Sequence, residues 1–378
     1  MPAMRALVWF AIICTPAMVW QAGAQLSPEV WKTDLSKYSI DLSELRAEEG
    51  RPPKDSIPSI DRPQFDTVAE ASKWLVAGEP AVVVEHGGEA RAYPLQILLW
   101  HELVNDQMGE TPILVSFCPL CNSAIVFDRR VDGEPHTFGV ASFLRHNGMV
   151  MYDRQTDSLW QQLTGEAIVG TLTGRQLDPL PSRVVPFAVF AASHPEGRVL
   201  NRLTGYFPPY GESTYTGYEF GDGQPAGAAK PMRRGERMER VLAITVEGRR
   251  RGYVFDYLRR MRVLEDRLRG VRYAVFYEPE MLTPLDAARI SESRAVGTAA
   301  AYLTEVDGKR LRFRRRGGKI VDRETGSTWN VLGVAEDGPL KGIRLTPAPQ
   351  AIHFEFAFRT FFPRSELVGR SRVGEDLP

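Results

Sequence analysis

Two cysteines separated by two residues carry the clearest chemical signal in this sequence. Cys118 and Cys121 lie in "SFCPLCNSAIVF", residues 116–127, with Asn122 directly behind them. Such a pair can hold a metal ion, exchange a disulfide or form a structural disulfide. A thiol-exchange pair usually lies at the N-terminus of a helix, whose dipole lowers the thiol pKa. Here the residues that follow have the pattern of a strand, and this favours a metal site.

The turn that joins the two cysteines has the pattern of a metal knuckle, because Asn122 tolerates left-handed backbone angles nearly as well as glycine does. Two thiolates leave a transition metal short of the three or four ligands it takes. His101, on the inward face of a predicted helix, is the predicted third ligand, and Met149 is the predicted fourth. Thiolate, imidazole and thioether together favour copper, since soft sulfur ligands suit Cu(I). Zinc and iron are the alternatives.

Other readings of these residues stay open. Cys118 and Cys121 also fit a thiol-disulfide redox protein with Cys118 as the exposed sulfur, or a structural binding module with a local disulfide. His101 equally fits a core histidine bonded to a backbone carbonyl. Methionines such as Met149 and Met151 are more often core residues than ligands. His136 and His146 are further candidates for the fourth position.

The N-terminus predicts export. Arg5 precedes an apolar stretch, residues 6–20, and small residues at 22–24. This layout is typical of a cleaved secretory signal, here ending at Ala24, and the stretch is short for a membrane span. We therefore expect a secreted or periplasmic protein with no stable membrane span after cleavage. In that oxidising compartment neighbouring thiols tend to oxidise unless a metal or a reducing partner holds them.

The charge balance gives no indication of a polyanionic partner. The chain of 378 residues carries 47 basic and 47 acidic residues, and hence no net charge. Neither nucleic acid nor an anionic membrane is implied by that balance, so we predict no nucleic-acid partner. The sequence does not identify the physiological partner or the reaction, and it leaves open whether the protein is an enzyme.

Two blocks of sequence recur along the chain. Residues 81–106 align with 241–266 at a shift of 160, and residues 152–160 align with 321–329 at a shift of 169. The order is the same in both cases, which predicts a duplicated unit. Residues kept in both copies, such as the Asp-Arg pair and the tryptophan of the second block, are best explained as scaffold.

Residues that only the first copy retains are the candidates for chemistry. The second copy differs from the first as follows: His101 is replaced by Met261, Cys118 by Glu278, Cys121 by Met281, Met149 by Gly318, and Gln161 by Asn330. Met149 is preferred over Met151 as a ligand because Met151 is opposite an apolar residue, Ile320, in the second copy. The first copy is therefore predicted to contain the site. The second copy is predicted to complete the core or to form a wall of the site.

The periodicity predicts an α+β fold that is mainly antiparallel and β-rich, with two tandem copies of a related unit and one conspicuous helix in each. A hairpin turn at Gly87-Gly88 and a helix starting near Pro94 precede a series of strands. The end stretch, 352–363, alternates aromatics like a buried closing strand. The predicted divisions are a signal peptide (1–24), an extended lead-in (25–66), a first unit (67–206), a loop or linker (207–236), a degenerate second unit (237–363) and a tail (364–378).

Three ordered motifs give this sequence a family resemblance. "RAYPLQILLWHELVND", "CPLCNSAIVFDRRVDGEPHTFGV" and "MVMYDRQTDSLWQQLTGEAIVG" resemble the bacterial and archaeal family DUF3179. The resemblance extends from about Asp66 to Pro363, implies an exported protein and assigns no reaction. The chain departs from the family pattern at His353, where similar sequences carry an aromatic residue.

Overall fold

A computed structural model describes residues 30–48, 52–221 and 238–369 of the chain. The predicted signal peptide, 1–24, lies outside these ranges. Strands account for 45% and helices for 13% of the structure, and most strand pairs are antiparallel. The fold is therefore of the β-rich α+β class, as predicted.

The first half of the chain, up to residue 200, contains these elements in order: a 3-10 helix at Leu42–Glu44, β1 (Leu45–Ala47), β2 (Phe65–Thr67), α1 (Val68–Ala71), β3 (Pro80–His86), β4 (Glu89–Pro94), α2 (Leu95–His101), β5 (Leu103–Met108), β6 (Thr111–Cys118), a 3-10 helix at Pro119–Cys121, β7 (Ser123–Asp128), β8 (Arg130–Val131), β9 (Glu134–Pro135), β10 (Phe138–Arg145), β11 (Gly148–Asp153), β12 (Leu159–Gln161), β13 (Glu166–Val169), β14 (Asp178–Leu180), β15 (Ser182–Pro186), α3 (Phe187–Ser193) and β16 (Arg198–Leu200).

The second half, from residue 240 onward, contains β17 (Arg240–Val246), β18 (Arg249–Val254), α4 (Phe255–Met261), β19 (Val263–Leu268), β20 (Val271–Glu278), a 3-10 helix at Ile290–Glu292, β21 (Thr298–Leu303), β22 (Glu305–Val306), β23 (Lys309–Arg310), β24 (Phe313–Arg316), β25 (Lys319–Asp322), β26 (Thr328–Trp329), β27 (Ala335–Asp337), β28 (Gln350–Phe354), α5 (Glu355–Phe361) and β29 (Glu366–Val368).

Three sheets organise the first half. The hairpin sheet has the strand order β15-β3-β4-β16-β2, the cysteine sheet β14-β7-β6-β5, and the tryptophan sheet β1-β10-β11-β12-β13. The second half has sheets of order β28-β17-β18-β29, β19-β20-β21 and β24-β25-β26-β27. The sheet β28-β17-β18-β29 is called the second hairpin sheet below. The elements between residues 240 and 278 each begin and end 160 positions after those between 80 and 118, and β28 and α5 follow β15 and α3 by 168 positions.

The same side-chain contacts recur in both halves. The indole Nε1 of Trp160 donates to Asp153 at 3.0 Å, and that of Trp329 donates to Asp322 at 3.0 Å. All four side chains are buried. These contacts agree with the prediction that the shared residues are scaffold. The Asp-Arg pair makes no salt bridge in the described first half, because Arg154 bonds instead to Asp61 at 3.1 Å.

The two halves interlock through their hairpin sheets. Successive residues of a strand face opposite sides of its sheet. Val84 accordingly packs with Val115 of the cysteine sheet, while Val83 packs in a cluster that includes Phe276 and Trp329 of the second half. In return, Ala357 of α5 lies in the apolar cluster that contains both cysteines. Each half thus completes a core of the other.

Two predicted segments differ from the structure. Residues 352–363 do not form one strand, because β28 ends at Phe354 and α5 follows it. An ion pair between Glu355 and Arg359, four residues apart, supports this helix at 2.7 Å. The lead-in is not merely extended either: β1 pairs with β10, and Trp31 packs against Phe143 and Tyr152.

Candidate functional site

Cys118 and Cys121 flank a single tight turn. Strand β6 ends at Cys118, the 3-10 helix spans Pro119–Cys121, and Asn122 has the left-handed angles φ 47° and ψ 45° before β7 begins. Both thiols are free, and the two residues are only 1% and 0% exposed. The predicted turn with its left-handed Asn122 and the strand behind it are therefore present, and in the described chain a strand, not a long helix, follows the cysteines.

Hydrogen bonds favour the thiolate at Cys118. Burial alone would raise the pKa of this thiol. The thiol of Cys121 and the backbone N–H groups of Met149, Cys121 and Leu120 donate to its sulfur, and together they outweigh burial and lower the pKa of Cys118 below its usual 9.0. The sulfur of Cys118 is therefore the one that ionises first.

Cys121 has the opposite character. Burial raises the pKa of its thiol well above 9.0, and its hydrogen bond to Cys118 and the negative charges of Cys118 and Glu102 raise it further. Its sulfur lies 3.2 Å from the carbonyl oxygen of Asn147, and the sulfur of Cys118 lies 4.0 Å from the same oxygen. Both sulfur atoms thus converge on one backbone carbonyl in the turn between β10 and β11.

Apolar side chains from both halves enclose the cysteines. Met149 and Met151 lie in the same buried cluster, with Phe361 of α5 packed against it. Gly148 belongs to this wall, because a Cβ there would come within 3 Å of side-chain atoms of Gln161, Leu163 and Phe361. Two thiols and a thioether in an apolar surrounding can hold a soft metal ion, and two thiols alone can exchange electrons as a dithiol.

Three buried amide oxygens near this wall have no hydrogen-bond donor in the described part of the chain. They are Oδ1 of Asn147 and Oε1 of Gln161 and Gln162. The amide nitrogen of Gln161 donates to the carbonyl of Met149 at 3.2 Å, and that of Gln162 donates to Ser116 at 2.9 Å. Because such groups are normally paired, these oxygens can each accept a bond from water or from a bound molecule.

His101, the predicted third ligand, is not grouped with the cysteines. It is buried, as predicted, but its Nδ1 lies 2.7 Å from the carbonyl oxygen of Pro58 and its Nε2 lies 2.6 Å from the hydroxyl of Tyr210. Burial lowers the pKa of His101, and the Pro58 bond opposes that effect. Among residues 30–48, 52–221 and 238–369, no three His, Cys, Asp or Glu side chains form a group that could hold a metal ion. Met261, which takes the place of His101 in the second half, is itself 44% exposed.

The other candidate histidines have partners elsewhere. His136 lies 3.1 Å from Asp153 of the scaffold, and His146 lies 3.0 Å from Glu44. Of the residues predicted from the sequence, the structure thus brings together Cys118, Cys121 and Met149.

Two neighbours of the thiols were not predicted. Glu102, directly after His101, is buried and acts on the pKa of Cys121. The hydroxyl of Tyr218 donates to the carbonyl of Leu120 at 2.9 Å, and burial is the main cause that raises its pKa. A signal for Glu102 existed in the repeat, because Arg262 takes its place there while Glu278 replaces Cys118.

None of the helices in the described ranges is both long and apolar enough to cross a bilayer.

No curated protein and no solved structure matches the chain. A family model described as "Protein of unknown function (DUF3179)" matches residues 54–365. That match spans most of the sequence, including the cysteine turn and both hairpin sheets except strand β29, and the chain therefore belongs to the DUF3179 family.

Proposed function

We propose that Cys118 and Cys121 together bind one soft metal ion, copper(I), with the thioether of Met149 as a third donor. The observation that supports this most is the turn itself: it holds two free, buried thiols against one carbonyl oxygen, that of Asn147. The lowered pKa of the Cys118 thiol adds to this, because the thiolate is the form that binds a metal. Binding would release the two thiol protons, because thiolates are the ligands.

The donor set favours copper(I) over zinc. A structural zinc site needs four ligands, and no third His, Cys, Asp or Glu of the described residues forms a metal-binding group with the two thiols. Copper(I) is satisfied by few donors and prefers thiolate and thioether sulfur. His101 is left out of the proposed ligand set because Pro58 and Tyr210 occupy both of its ring nitrogens. The protein would accordingly act in metal handling or metal-based redox chemistry.

We infer that the two halves derive from one duplicated unit and that the first half alone kept the site. The matching order and spacing of their elements support this. At the positions of Glu102 and Cys118 the second half has Arg262 and Glu278, and the charge of Arg262 acts on the pKa of Glu278. The carboxylate of Glu102 is thus replaced by the cation of Arg262, and the thiol of Cys118 by the carboxylate of Glu278. The second half then contributes to the site through α5, as a wall.

A second candidate function is thiol-disulfide redox chemistry outside the cytoplasm. The opposite pKa shifts of Cys118 and Cys121 favour it, because a redox pair commonly has one activated and one buried thiol. The near-complete burial of both sulfur atoms counts against attack on a protein disulfide.

Both functions assume export. Cleavage after Ala24 would give a mature protein beginning at Gln25, which N-terminal sequencing of the periplasmic protein tests.

Metal content of the periplasmic protein tests the proposal. The protein is purified without a metal-chelating tag, its copper, zinc and iron are measured by mass spectrometry, and its thiols are counted with and without reductant. We expect close to one copper per chain, loss of copper in the Cys118→Ser, Cys121→Ser double variant, weaker retention in Met149→Leu and normal retention in His101→Gln. Equal copper in the double variant would refute the site. A metal-free protein whose thiols appear only after reduction would favour the redox function.

A further inference from the structure

A cavity of about 170 Å³ lies between the cysteine sheet and the second hairpin sheet. Ile125, Phe127 and Leu163 form its apolar wall on one side, and Ala243 and Ala351 form part of the other. Cavities with apolar walls and a few polar groups are where small molecules bind. This one is large enough for a compact organic molecule, and none of the proposed copper ligands lines it.

Arg250 gives the cavity one charged group. Its guanidinium stacks on the ring of Phe362 at 3.6 Å, and its Nε donates to the hydroxyl of Thr245 at 3.0 Å. Within the described ranges no carboxylate lies within ion-pair distance of Arg250, although the side chain is half-buried. A buried cation without a counter-ion is costly, and an anionic ligand would remove that cost.

His353 completes the polar side of the cavity without adding charge. Its Nδ1 lies 3.0 Å from the hydroxyl of Ser123, which pairs with Cys118 across β6 and β7. Burial, assisted by the charge of Arg250, lowers the pKa of His353 to about 3, so its ring is neutral near pH 7. The cavity therefore presents a single cation, which matches a ligand with one negative charge.

The corresponding place in the first half already contains a carboxylate. Thr245 on β17 corresponds to Glu85 on β3, 160 positions earlier. Glu85 is paired with Arg183, with His194 at 2.9 Å and with Arg344 at 2.7 Å. The same part of the fold thus accommodates a carboxylate among cations. At the cavity Arg250 provides a cation, while Thr245 provides no carboxylate.

We propose that this cavity binds a small organic monocarboxylate with an apolar body. The carboxylate pairs with the guanidinium of Arg250, and the apolar body packs against Ile125, Phe127 and Leu163. This site is independent of the copper proposal, because it requires neither the thiols nor a metal.

Calorimetric titration of the purified full-length protein tests this site, with octanoate and phenylacetate as probes and octylammonium as the head-group control. We expect saturable binding of at least one carboxylate at one molecule per chain, and no binding of octylammonium. Arg250→Gln should weaken carboxylate binding at least tenfold. The neighbouring Arg249→Gln, which removes an exposed charge, should leave it unchanged.

Ala351→Leu provides a second test, because it fills the cavity and leaves Arg250 in place. It should also abolish carboxylate binding, with folding of each variant checked by circular dichroism and thermal unfolding. The proposal is overturned if neither carboxylate binds the wild type, or if both Arg250→Gln and Ala351→Leu bind it as tightly as the wild type does. Loss of copper in the double cysteine variant would leave these results unchanged, so the two proposals fail separately.

Discussion

The sulfur of Cys121 lies 3.2 Å from the carbonyl oxygen of Asn147, a residue that is itself held at φ 64°. That left-handed conformation turns the carbonyl toward the thiols, and asparagine adopts it far more readily than a β-branched residue. The geometry of the dithiol site therefore depends on the backbone of a turn that is 26 residues away along the chain.

Replacing Asn147 tests this dependence. Asn147→Gly should leave the free energy of unfolding nearly unchanged, since glycine adopts left-handed angles without cost. Asn147→Val should lower it by about 2 kcal/mol through backbone strain, and should weaken copper retention. Urea unfolding and metal content measure the two effects. Equal stability of the valine and glycine variants would contradict the role of the turn.

The repeated aspartate-tryptophan contact predicts equal effects in both halves. Asp153 and Asp322 each accept hydrogen bonds from a buried indole and from a threonine, at positions 156 and 325. Replacing either aspartate with alanine leaves those donors unpaired and should lower the free energy of unfolding by about 2–4 kcal/mol. The exposed Asp178→Ala is the control and should change it by less than about 0.5 kcal/mol. A large effect in only one half would show that the contacts are not equivalent.

The two thiols should titrate separately. In the reduced, metal-free protein, ultraviolet thiolate absorbance should rise in two steps, one below pH 9.0 for Cys118 and one well above it for Cys121. Cys121→Ala should move the first step to higher pH, because Cys118 loses a thiol donor. Cys118→Ala should move the Cys121 step to lower pH, because a neighbouring negative charge is removed. A first step that stays in place in Cys121→Ala would rule out this coupling.

His353 should make the protein sensitive to mild acid. An ordinary histidine has a pKa near 6.5, whereas burial lowers the pKa of His353 to about 3. The unfolded chain therefore takes up this proton first as the pH falls below 6.5, and each pH unit lowers the free energy of unfolding by up to about 1.4 kcal/mol.

The variant His353→Asn removes this effect and leaves the other histidines in place. Any stability advantage of the wild type over the variant should shrink by about 2 kcal/mol between pH 7 and pH 5. Urea unfolding of both proteins at the two pH values measures it. A constant difference would mean that His353 does not titrate as its burial requires.

Local pattern was enough to predict the cysteine turn. Asn122 has left-handed angles, a strand follows it, and the hairpin and helix before it lie where turn residues and helical spacing placed them. These features are determined by residues that are close together in the sequence, and a sequence pattern is made of such residues. The alternating aromatics near the C-terminus led to the wrong prediction of a single strand. Phe354 ends a strand, whereas Phe356 and Phe358 belong to a helix.

The contacts of His101 could not be predicted from the spacing of residues in the sequence. Its partners Pro58 and Tyr210 are 43 and 109 residues away, on segments that showed no regular pattern. Tyr206 and Tyr210 cover its ring, and this explains why His101 is buried while Met261 is half exposed. Comparing the two halves of the sequence selected residues that only the first half has, but only tertiary packing determined which of those residues meet.

X-ray absorption at the copper edge of the purified wild-type protein reports the atoms that touch the metal. We expect two or three sulfur neighbours at about 2.3 Å, as is usual for metal-thiolate bonds, and no imidazole scattering. A spectrum with histidine scattering, or with oxygen and nitrogen neighbours alone, would contradict a copper ion held by Cys118, Cys121 and Met149.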